Sequence, residues 1–402
     1  MRKFFLLILV SVLFFKNASA QITFVGQVVE KGNAKPIARA TVFIGNSSYG
    51  TSSNENGFFS FKNIPPGKFI LVVSCIGYET FTKDFQAVSA DQHIVIELKP
   101  KPSVLNEVVV TPAEKNGWVS WGDLFVEHFI GNITYARGCK IVNPKALKFR
   151  RNEKQNLLTV SATEPLIIEN KILGYTIRYE LKEFIYHFTD NTVLYSGYAL
   201  FEEMSATDNK TATKYKEARQ KVYSISLLHF IRSLYANNLE TEGYKIFRKK
   251  GNIDVELKKD TIAQQEYSGI EKFDTIYEIS NENSKIKIVA NELSSTANKN
   301  YGSANSSINS LLFYNGSEVE LKLSDTLKVV YTKSRAPYEY LKYIGNTESG
   351  NMIVSEISLI NNSPITIMPD GSFTPNNLSM NGFWGWWEKI AIMLPYDYDS
   401  TK

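Results

Sequence analysis

The sequence predicts a mainly β fold, in which a small N-terminal β-sandwich is followed by a β-rich α+β domain with one long helix. Between residues 54 and 78, short apolar runs alternate with glycine- and proline-containing turn signals, as in a small antiparallel sandwich. Residues 173–188 alternate apolar and polar side chains, as a half-buried strand does. Hydrophobic residues make up 43% of the 402 residues and aromatic residues 13%, which suits a well-packed β-rich protein.

Residues 1–20 have the pattern of a signal peptide. Arg2 and Lys3 precede an apolar run over residues 4–15, and Ala18-Ser19-Ala20 provides a small-residue cleavage site. The apolar run is too short for a membrane span, which takes about 20 residues. Gln21 follows the expected cleavage site, whereas a lipoprotein anchor requires cysteine. We therefore expect an exported protein that is periplasmic or associated with the cell envelope, is not a lipoprotein and has no transmembrane span.

The net charge bears on the class of partner, and the cysteine content bears on whether a disulfide forms. The formal net charge is +4, and removal of Arg2, Lys3 and Lys16 with the signal peptide would leave 4 − 3 = +1. This balance gives no electrostatic reason to expect nucleic acid as a partner. Export permits a disulfide between Cys75 and Cys139. An apolar strand around a lone cysteine is more typical of a buried free thiol, so we expect the two residues to remain unpaired.

Residues 22–99 contain the strands of the predicted sandwich. Asn56-Gly57 permits a tight turn, because glycine lacks the Cβ that makes positive φ unfavourable, and we expect positive φ at Gly57. Pro65-Pro66-Gly67 and Gly77 mark the next two turns. About seven strands are expected at the spacing typical of a sandwich. The clearest runs are residues 23–30, 40–44, 58–61, 68–74, 78–85 and 93–98.

The order of these motifs resembles the carboxypeptidase regulatory-like domain. The resemblance rests on the following segments: Gly26-Gln27-Val28, Pro36-Ile37, Ala40-Thr41-Val42, Asn56-Gly57-Phe58-Phe59-Ser60-Phe61, Ile64-Pro65-Pro66-Gly67 and Ile76-Gly77-Tyr78-Glu79. It implies a transthyretin-like β-sandwich, similar to the N-terminal extension of TonB-dependent receptors of Bacteroidetes-type bacteria. The short segment at residues 105–111 resembles the one that follows this domain in those receptors. The resemblance implies no peptidase activity, since the domain is an accessory to the enzyme.

The rest of the chain departs from such a receptor. About 290 residues follow, which is too few for a plug and a barrel of some 22 strands. We expect a linker at residues 100–117, where Pro100, Pro102 and Pro112 favour extended chain, and a β-rich domain of unknown function at residues 118–402. The second region looks like the C-terminal part of exported, regulatory-domain-containing proteins of unknown function. This resemblance rests on a strand pair, a helix with Arg219 and His229-Phe230-Ile231-Arg232, then Gly243-Tyr244, and a terminal run from Gly382-Phe383-Trp384 to Leu394-Pro395-Tyr396.

Within residues 118–402, the hydrophobic pattern predicts a short helix at residues 125–130 and one long helix at residues 214–235. Strands at 173–188 and 193–201 are expected to pair around a turn at Asp190-Asn191. Two further hairpins are expected. Their strands lie at residues 311–314 and 319–323, and at residues 365–368 and 373.

No catalytic, cofactor-binding or metal-binding motif stands out. His93, His128, His187 and His229 lack a second histidine at ligand spacing, so no zinc peptidase motif is present, and Gly-x-Ser-x-Gly and Gly-x-Gly-x-x-Gly are missing. His229 lies beside the apolar stripe of the long helix, where a structural histidine is the favoured interpretation. Trp384, Trp386 and Trp387 are the one possible binding platform. The favoured interpretation of these rings is also structural, with the three packed in a core beside Trp118 and Trp121.

Three functional hypotheses follow, and each has a geometric criterion. The first is an exported non-enzymatic binding or structural module for an envelope protein or other envelope component. The second is an accessory glycan-binding protein of a TonB-dependent uptake system, which three coplanar exposed tryptophans would favour. The third is a hydrolase with a dispersed site, which a cleft containing His229 with an acid in hydrogen-bond reach would favour. Buried rings without a cleft would leave the first.

Overall fold

The fold is mainly β, which confirms the predicted class. The chain divides into two compact units. The first comprises Met1–Trp121, Ile141–Glu169 and Tyr175–Met204, and the second comprises Gly122–Lys140, Asn170–Gly174 and Ser205–Lys402. The structure, a computed structural model, describes residues 22–65, 67–87, 92–101, 112–250, 253–257, 277–280, 287–290, 311–315, 318–345 and 351–401.

Seven strands form the N-terminal sandwich, as the sequence predicts. Two sheets with the strand orders β4-β1-β7 and β3-β2-β5-β6 enclose one apolar core, to which Phe24, Val42, Phe59, Leu71 and Ile96 contribute from both sheets. Burial of such side chains is the main force that holds two sheets together. The strands are β1 (Ile22–Glu30), β2 (Thr41–Ile44), β3 (Gly50–Ser52), β4 (Phe58–Ile64), β5 (Gly67–Ser74), β6 (Phe81–Ala87) and β7 (Gln92–Leu98).

Two details of the sandwich differ from the prediction. β7 pairs with β1 in parallel, because the chain changes sheets between β6 and β7, so the sandwich is not wholly antiparallel. β3 lies in the polar segment 46–53, where the sequence lacks the apolar alternation that indicates a strand. The predicted positive φ at Gly57 is confirmed, with a value of 76°.

Besides the two sheets of the sandwich, the first unit contains a sheet built around a long hairpin. β12 (Tyr175–His187) and β13 (Thr192–Glu203) pair antiparallel, as the alternating pattern predicts, and Asn191 has a φ of 55° in the turn between them. The part of the chain before this hairpin contains α1 (Gly117–Phe129) and β8 (Cys139–Ile141), most of whose residues belong to the second unit, and β9 (Leu147–Asn152), β10 (Leu157–Ala162) and β11 (Leu166–Asn170).

The sandwich packs on β13 within the first unit. Phe43 and Val72 form an apolar cluster with Leu200, which is buried. Asn46 makes two hydrogen bonds to Ala199: its N–H donates to the carbonyl oxygen at 2.7 Å, and its Oδ1 accepts from the Ala199 N–H at 3.0 Å. The compact units therefore do not follow the predicted division at residues 100–117. The predicted domain boundaries stay a prediction, because compactness does not show which parts fold independently.

The described part of the second unit combines helices with three sheets. α2 (Asn209–Ser224) and α3 (Leu227–Tyr235) precede the sheets, which have the strand orders β15-β14-β20-β21-β24, β18-β19-β22-β23 and β16-β17. Both predicted hairpins are confirmed by antiparallel pairing of β18 with β19 and of β22 with β23. The strands are β14 (Tyr244–Lys250), β15 (Ile253–Leu257), β16 (Tyr277–Ser280), β17 (Lys287–Ala290), β18 (Leu312–Asn315), β19 (Glu318–Leu321), β20 (Leu327–Arg335), β21 (Met352–Leu359), β22 (Ile365–Ile367), β23 (Phe373–Thr374) and β24 (Leu378–Gly382). The short helices are α4 (Tyr338–Tyr343) and α5 (Phe383–Trp387).

The prediction of one helix over residues 214–235 is wrong in its continuity. The chain leaves helical geometry at Ile225 and Ser226, and α3 begins anew at Leu227. Ser226 is the cause: its Oγ accepts from the His229 N–H at 3.2 Å and donates to the Tyr223 carbonyl oxygen at 2.8 Å, so it caps the second helix. The predicted apolar stripe nevertheless faces inward, with Leu227, Phe230 and Ile231 buried.

Some predictions concern residues that the structure does not describe. The signal peptide at residues 1–20, the receptor-like segment at 105–111 and most of the linker lie outside the described ranges. Cys75 and Cys139 are both free thiols. Among the described helices, none combines the length and the apolar character that crossing a bilayer requires.

Candidate functional site

A polar cleft of about 460 Å³ lies in the second unit, beside α3 and the C-terminal half of β20. Its volume falls within the range of small-molecule sites, about 300–1,000 Å³. It is lined by Gln220, Tyr223, Ser224, His229, Arg232, Ser233, Ala236, Asn238, Glu242, Tyr331, Lys333, Pro369 and Ser400.

His229 is the one histidine in this lining, and protein groups occupy both of its ring nitrogens. Nδ1 lies 3.0 Å from the Ser224 carbonyl oxygen and 3.0 Å from the Tyr244 hydroxyl. Nε2 lies 3.2 Å from Oε2 of Glu242. Burial lowers the pKa of His229 below its ordinary value of 6.5, although hydrogen bonds to Ser224 and Glu242 act in the opposite sense. The imidazole is therefore mostly neutral at pH 7.

Glu242 connects His229 to a lysine at the mouth of the cleft. The same Oε2 atom that faces His229 lies 3.8 Å from Nζ of Lys333. The Lys333 stem runs across Gly243, where a Cβ would lie 2.6 Å from Cγ of the lysine. Gly243 also has a φ of 87°, a conformation that glycine adopts without strain. The missing Cβ at Gly243 thus leaves room for the methylene stem of Lys333.

The cleft meets one criterion for a hydrolase, but in the part of the chain that the structure describes no serine hydroxyl is hydrogen-bonded to a ring nitrogen of His229. An acid lies within hydrogen-bond reach of His229, as that hypothesis requires. However, the hydroxyl of Ser226 donates to Tyr223, and that of Ser233 donates to the His229 carbonyl oxygen at 2.7 Å. Tyr244 is buried, and burial raises the pKa of its phenol well above the ordinary value, so it is a poor nucleophile. A free ring nitrogen, which a general base needs, would appear only after one of these bonds breaks.

Arg232 connects α3 to other backbone segments at the wall of the cleft. Its guanidinium donates three hydrogen bonds to backbone carbonyl oxygens: Nε to Asp370 at 2.9 Å, Nη1 to Tyr398 at 3.0 Å and Nη2 to Tyr396 at 2.9 Å. The group also lies 5.4 Å from the centre of the Tyr223 ring. These bonds use three of its five N–H donors, and those to Tyr396 and Tyr398 hold the C-terminal segment on α3.

The predicted tryptophan platform does not form. Trp384 is 2% exposed and Trp387 is 3% exposed, and only Trp386 is half-buried. Nε1 of Trp384 donates to the Ile225 carbonyl oxygen at 3.0 Å, which satisfies the polar end of a buried ring. Trp384 and Trp387 are therefore core residues and Trp386 is half-buried, so the rings of Trp384, Trp386 and Trp387 form no exposed platform. Their packing beside Trp118 and Trp121 stays a prediction. Trp118 and Trp121 contact Phe149 and Phe188 in the first unit, at 6.3 and 5.6 Å between ring centres.

Sequence reasoning identified His229 but missed its partners. Glu242 is 13 residues away and Lys333 is 104 residues away, and no short motif connects the three. Gly243-Tyr244 was the one available signal, since it marks the start of β14, and Glu242 lies two residues before that strand. Across the described ranges, no group of three or more His, Cys, Asp and Glu side chains is arranged to hold a metal ion.

Comparisons with known proteins address the N-terminal region. Residues 24–110 match the model of the CarboxypepD_reg-like domain. No curated protein matches the chain.

Several solved structures resemble parts of the chain. A type II cohesin–X-dockerin complex from Acetivibrio cellulolyticus is 20% identical over 21% of this chain and 62% of the other, with a TM-score of 0.19. A candidate carbohydrate-binding protein from Bacteroides uniformis is 10% identical over 45% of this chain and 79% of the other, with a TM-score of 0.18. A candidate membrane-associated protein of unknown function from Bacteroides fragilis is 12% identical over 40% and 64%, with a TM-score of 0.17.

The chain thus spans less than two-thirds of the first of these structures, and the TM-scores are too low to carry a functional argument. The family match and the predicted sandwich coincide along the chain, since the match covers residues 24–110 and the seven strands run from Ile22 to Leu98. Over residues 24–110, this chain is therefore similar to CarboxypepD_reg-like domains.

Proposed function

We propose that the chain is an exported, non-enzymatic binding module of the cell envelope and that the cleft beside α3 is its binding site. The N-terminal domain is a regulatory or binding-type fold, which supports a role in binding or structure. The first 20 residues support export, because they combine a basic start, an apolar run and a small-residue cleavage site.

The hydrogen bonding of His229 is the observation that favours binding over catalysis as the role of the cleft. His229 lies in a cleft with polar walls, but Ser224, Tyr244 and Glu242 already occupy its two ring nitrogens. A cleft with this lining offers a ligand hydrogen-bond donors and acceptors while it holds the imidazole in place. It provides recognition without a free base beside a nucleophile.

Site-specific photo-crosslinking tests this proposal. A photoreactive amino acid at Gln220, which lines the cleft, is expected to capture an envelope component. The matched control is Lys216, which is exposed one helical turn earlier on α2 and does not line the cleft. Adducts from Gln220 but not from Lys216 support the proposal, whereas equal adducts or none at Gln220 contradict it.

A hydrolase is the outcome that would overturn this assignment. Chromogenic ester and peptide substrates are expected to show no turnover above that of His229→Gln. Turnover that the wild-type protein shows and His229→Gln lacks would assign a catalytic role to the imidazole instead.

Glycan binding remains a second candidate because of one aromatic pair. Trp386 stacks near Tyr343, which is 70% exposed, with 6.1 Å between ring centres and 31° between ring planes. Two such rings can stack on sugar rings even though the three-tryptophan platform is absent. On a glycan array, Tyr343→Ala should lose any signal that Tyr338→Ala keeps, since Tyr338 lies on the same short helix and is also exposed. Equal signals from both variants would contradict this site.

A further inference from the structure

The mouth of the cleft carries a cation with a weakly held partner. The Lys333 side chain is 51% exposed, and its ammonium lies 3.8 Å from Oε2 of Glu242. This distance allows an ion pair but exceeds that of a hydrogen bond. An exposed ion pair of this kind contributes little stability, so a ligand can replace Glu242 as the partner of Lys333.

His229 and Lys333 share one oxygen atom. Oε2 of Glu242 lies 3.2 Å from Nε2 of His229 as well as 3.8 Å from Lys333. A proton on His229 turns the first contact into an ion pair, which draws Glu242 away from Lys333 electrostatically. The positive charge of Lys333 then becomes available to an anion in the cleft. Protonation of His229 and binding of an anion are therefore coupled in the favourable sense.

The surroundings of His229 can satisfy both protonation states. In the neutral state, the Tyr244 hydroxyl donates to Nδ1 and Nε2–H donates to Glu242. In the charged state, Nδ1–H donates to the Ser224 carbonyl oxygen at 3.0 Å. The imidazole can therefore gain a proton without a large rearrangement.

Other charged and phenolic groups near His229 do not change the coupling between its protonation and anion binding. Arg232 is directed at three backbone carbonyl oxygens, and its charge lowers the pKa of the Asp370 carboxyl against the larger, opposite effect of burial. Tyr223, Tyr244 and Tyr331 also contact the ring, with 5.0, 5.4 and 6.2 Å between ring centres. Burial raises the pKa of both Tyr244 and Tyr331, so these two phenols stay neutral near pH 7.

The rest of the lining suits hydroxyl groups. Tyr223, Tyr331 and Gln220 place polar atoms along the cleft, where they can exchange hydrogen bonds with hydroxyl groups.

We propose that the cleft binds a small, hydroxyl-rich molecule with a carboxylate group, such as a uronic acid, and that His229 takes up a proton when this molecule binds. The inference rests on the proposed function of the cleft. The carboxylate pairs with Lys333, the hydroxyl groups meet the uncharged polar lining, and Glu242 turns to the protonated His229.

Calorimetry on the whole protein tests the inference with matched sugars. D-galacturonate is expected to bind at least about tenfold more tightly than D-galactose, because it alone pairs with Lys333. Its affinity should rise about tenfold from pH 8.0 to pH 5.5, and the binding enthalpy should depend on the ionisation enthalpy of the buffer, which reports proton uptake. Trigalacturonate is the second probe, because preferential binding of the trimer identifies a polysaccharide rather than a free sugar acid as the source.

Three variants separate the roles. Lys333→Met should remove the preference for the acid, whereas the control Lys245→Met should keep it, because Lys245 is exposed but pairs with Glu256 outside the cleft. His229→Gln should keep the preference and lose its pH dependence. Glu242→Gln should bind the acid tightly at both pH values, since Lys333 then has no competing carboxylate.

The outcomes distinguish this inference from the proposed function. Equal affinity for both sugars, or an unchanged preference in Lys333→Met, overturns the inference and leaves a cleft that binds another ligand. Absence of binding by both sugars also overturns it, and the adduct at Gln220 then decides independently whether the cleft is a binding site. A pH dependence that persists in His229→Gln overturns the proton coupling.

Discussion

Gly57 shows how one residue determines the geometry of a turn. Its φ of 76° lies in the region that favours glycine, and its carbonyl oxygen accepts a hydrogen bond from the Val28 N–H at 2.8 Å. A Cβ at this position would overlap the Val28 carbonyl oxygen. We expect Gly57→Val to lower the free energy of unfolding by about 1–3 kcal/mol. Urea denaturation measures the change.

Gly32 is the matched control for this substitution. Its φ is 99°, but no atom lies within 4 Å of the position of an added Cβ. Gly32→Ala therefore adds backbone strain without a clash, and it should cost less than Gly57→Ala. An unchanged stability in both Gly57 variants would mean that the turn adopts another conformation at no cost.

Glu388 provides a pH-dependent prediction. Its carboxylate accepts from the Leu227 N–H at 2.7 Å, and burial raises its pKa from 4.5 to about 7. The folded protein therefore binds a proton more tightly than the unfolded chain. This contribution to stability is complete below pH 4.5 and is lost as the pH rises through about 7.

Glu388→Gln keeps an acceptor for Leu227 and removes the ionisation. A pKa difference of this size corresponds to about 3 kcal/mol. The stability of Glu388→Gln relative to the wild type should therefore increase by that amount between pH 4 and pH 8. Urea denaturation at the two pH values measures this difference, and an equal difference at both would contradict the raised pKa.

At the residue scale, the sequence reveals backbone requirements better than side-chain partners. Positive φ at Gly57 follows from the missing Cβ and the neighbouring asparagine, which are local properties. The contact between His229 and Glu242 depends on how α3 packs against β14, which no local pattern encodes. Sequence analysis could therefore place His229 on an apolar helix face but could not identify the cleft.

At the scale of elements, the break between α2 and α3 shows the limit of hydrophobic periodicity. The apolar spacing of Tyr223, Leu227 and Phe230 continues across the break, so the pattern predicts one helix. Ser226 interrupts it because its hydroxyl competes with the backbone for hydrogen bonds. Serine is tolerated inside many helices, and only the geometry shows that it acts as a cap here.

The role of α5 gives a prediction at the same scale. Trp384 packs against Phe230, with 5.1 Å between ring centres, and it is buried where α5 meets α3. Trp384→Ala should lower the free energy of unfolding by about 3–5 kcal/mol. Trp386→Ala should cost clearly less, because that ring is half-buried. Thermal denaturation of both variants tests which one loses more stability. A larger loss in Trp386→Ala than in Trp384→Ala would contradict the burial of Trp384.

At the scale of the whole molecule, the first unit joins segments that are far apart in sequence. The sandwich and the β12–β13 hairpin share the cluster of Phe43, Val72 and Leu200, although more than 100 residues separate Val72 from Leu200. Composition and turn signals mark where a linker can lie, but they do not show which distant strand packs on a sandwich face. This is why the fold class was predictable while the compact units were not.

Leu200 tests whether the sandwich and the hairpin unfold together. Its side chain is 5% exposed in the apolar cluster, so Leu200→Ala leaves a cavity and should cost about 2–4 kcal/mol. If the two parts unfold as one cooperative unit, amide hydrogen exchange should accelerate in β2 and β5 as well as in β13. Leu194→Ala is the matched control, because Leu194 lies on the same strand and is 50% exposed. Faster exchange confined to β13 would instead show that the sandwich folds independently, as the predicted domain boundaries require.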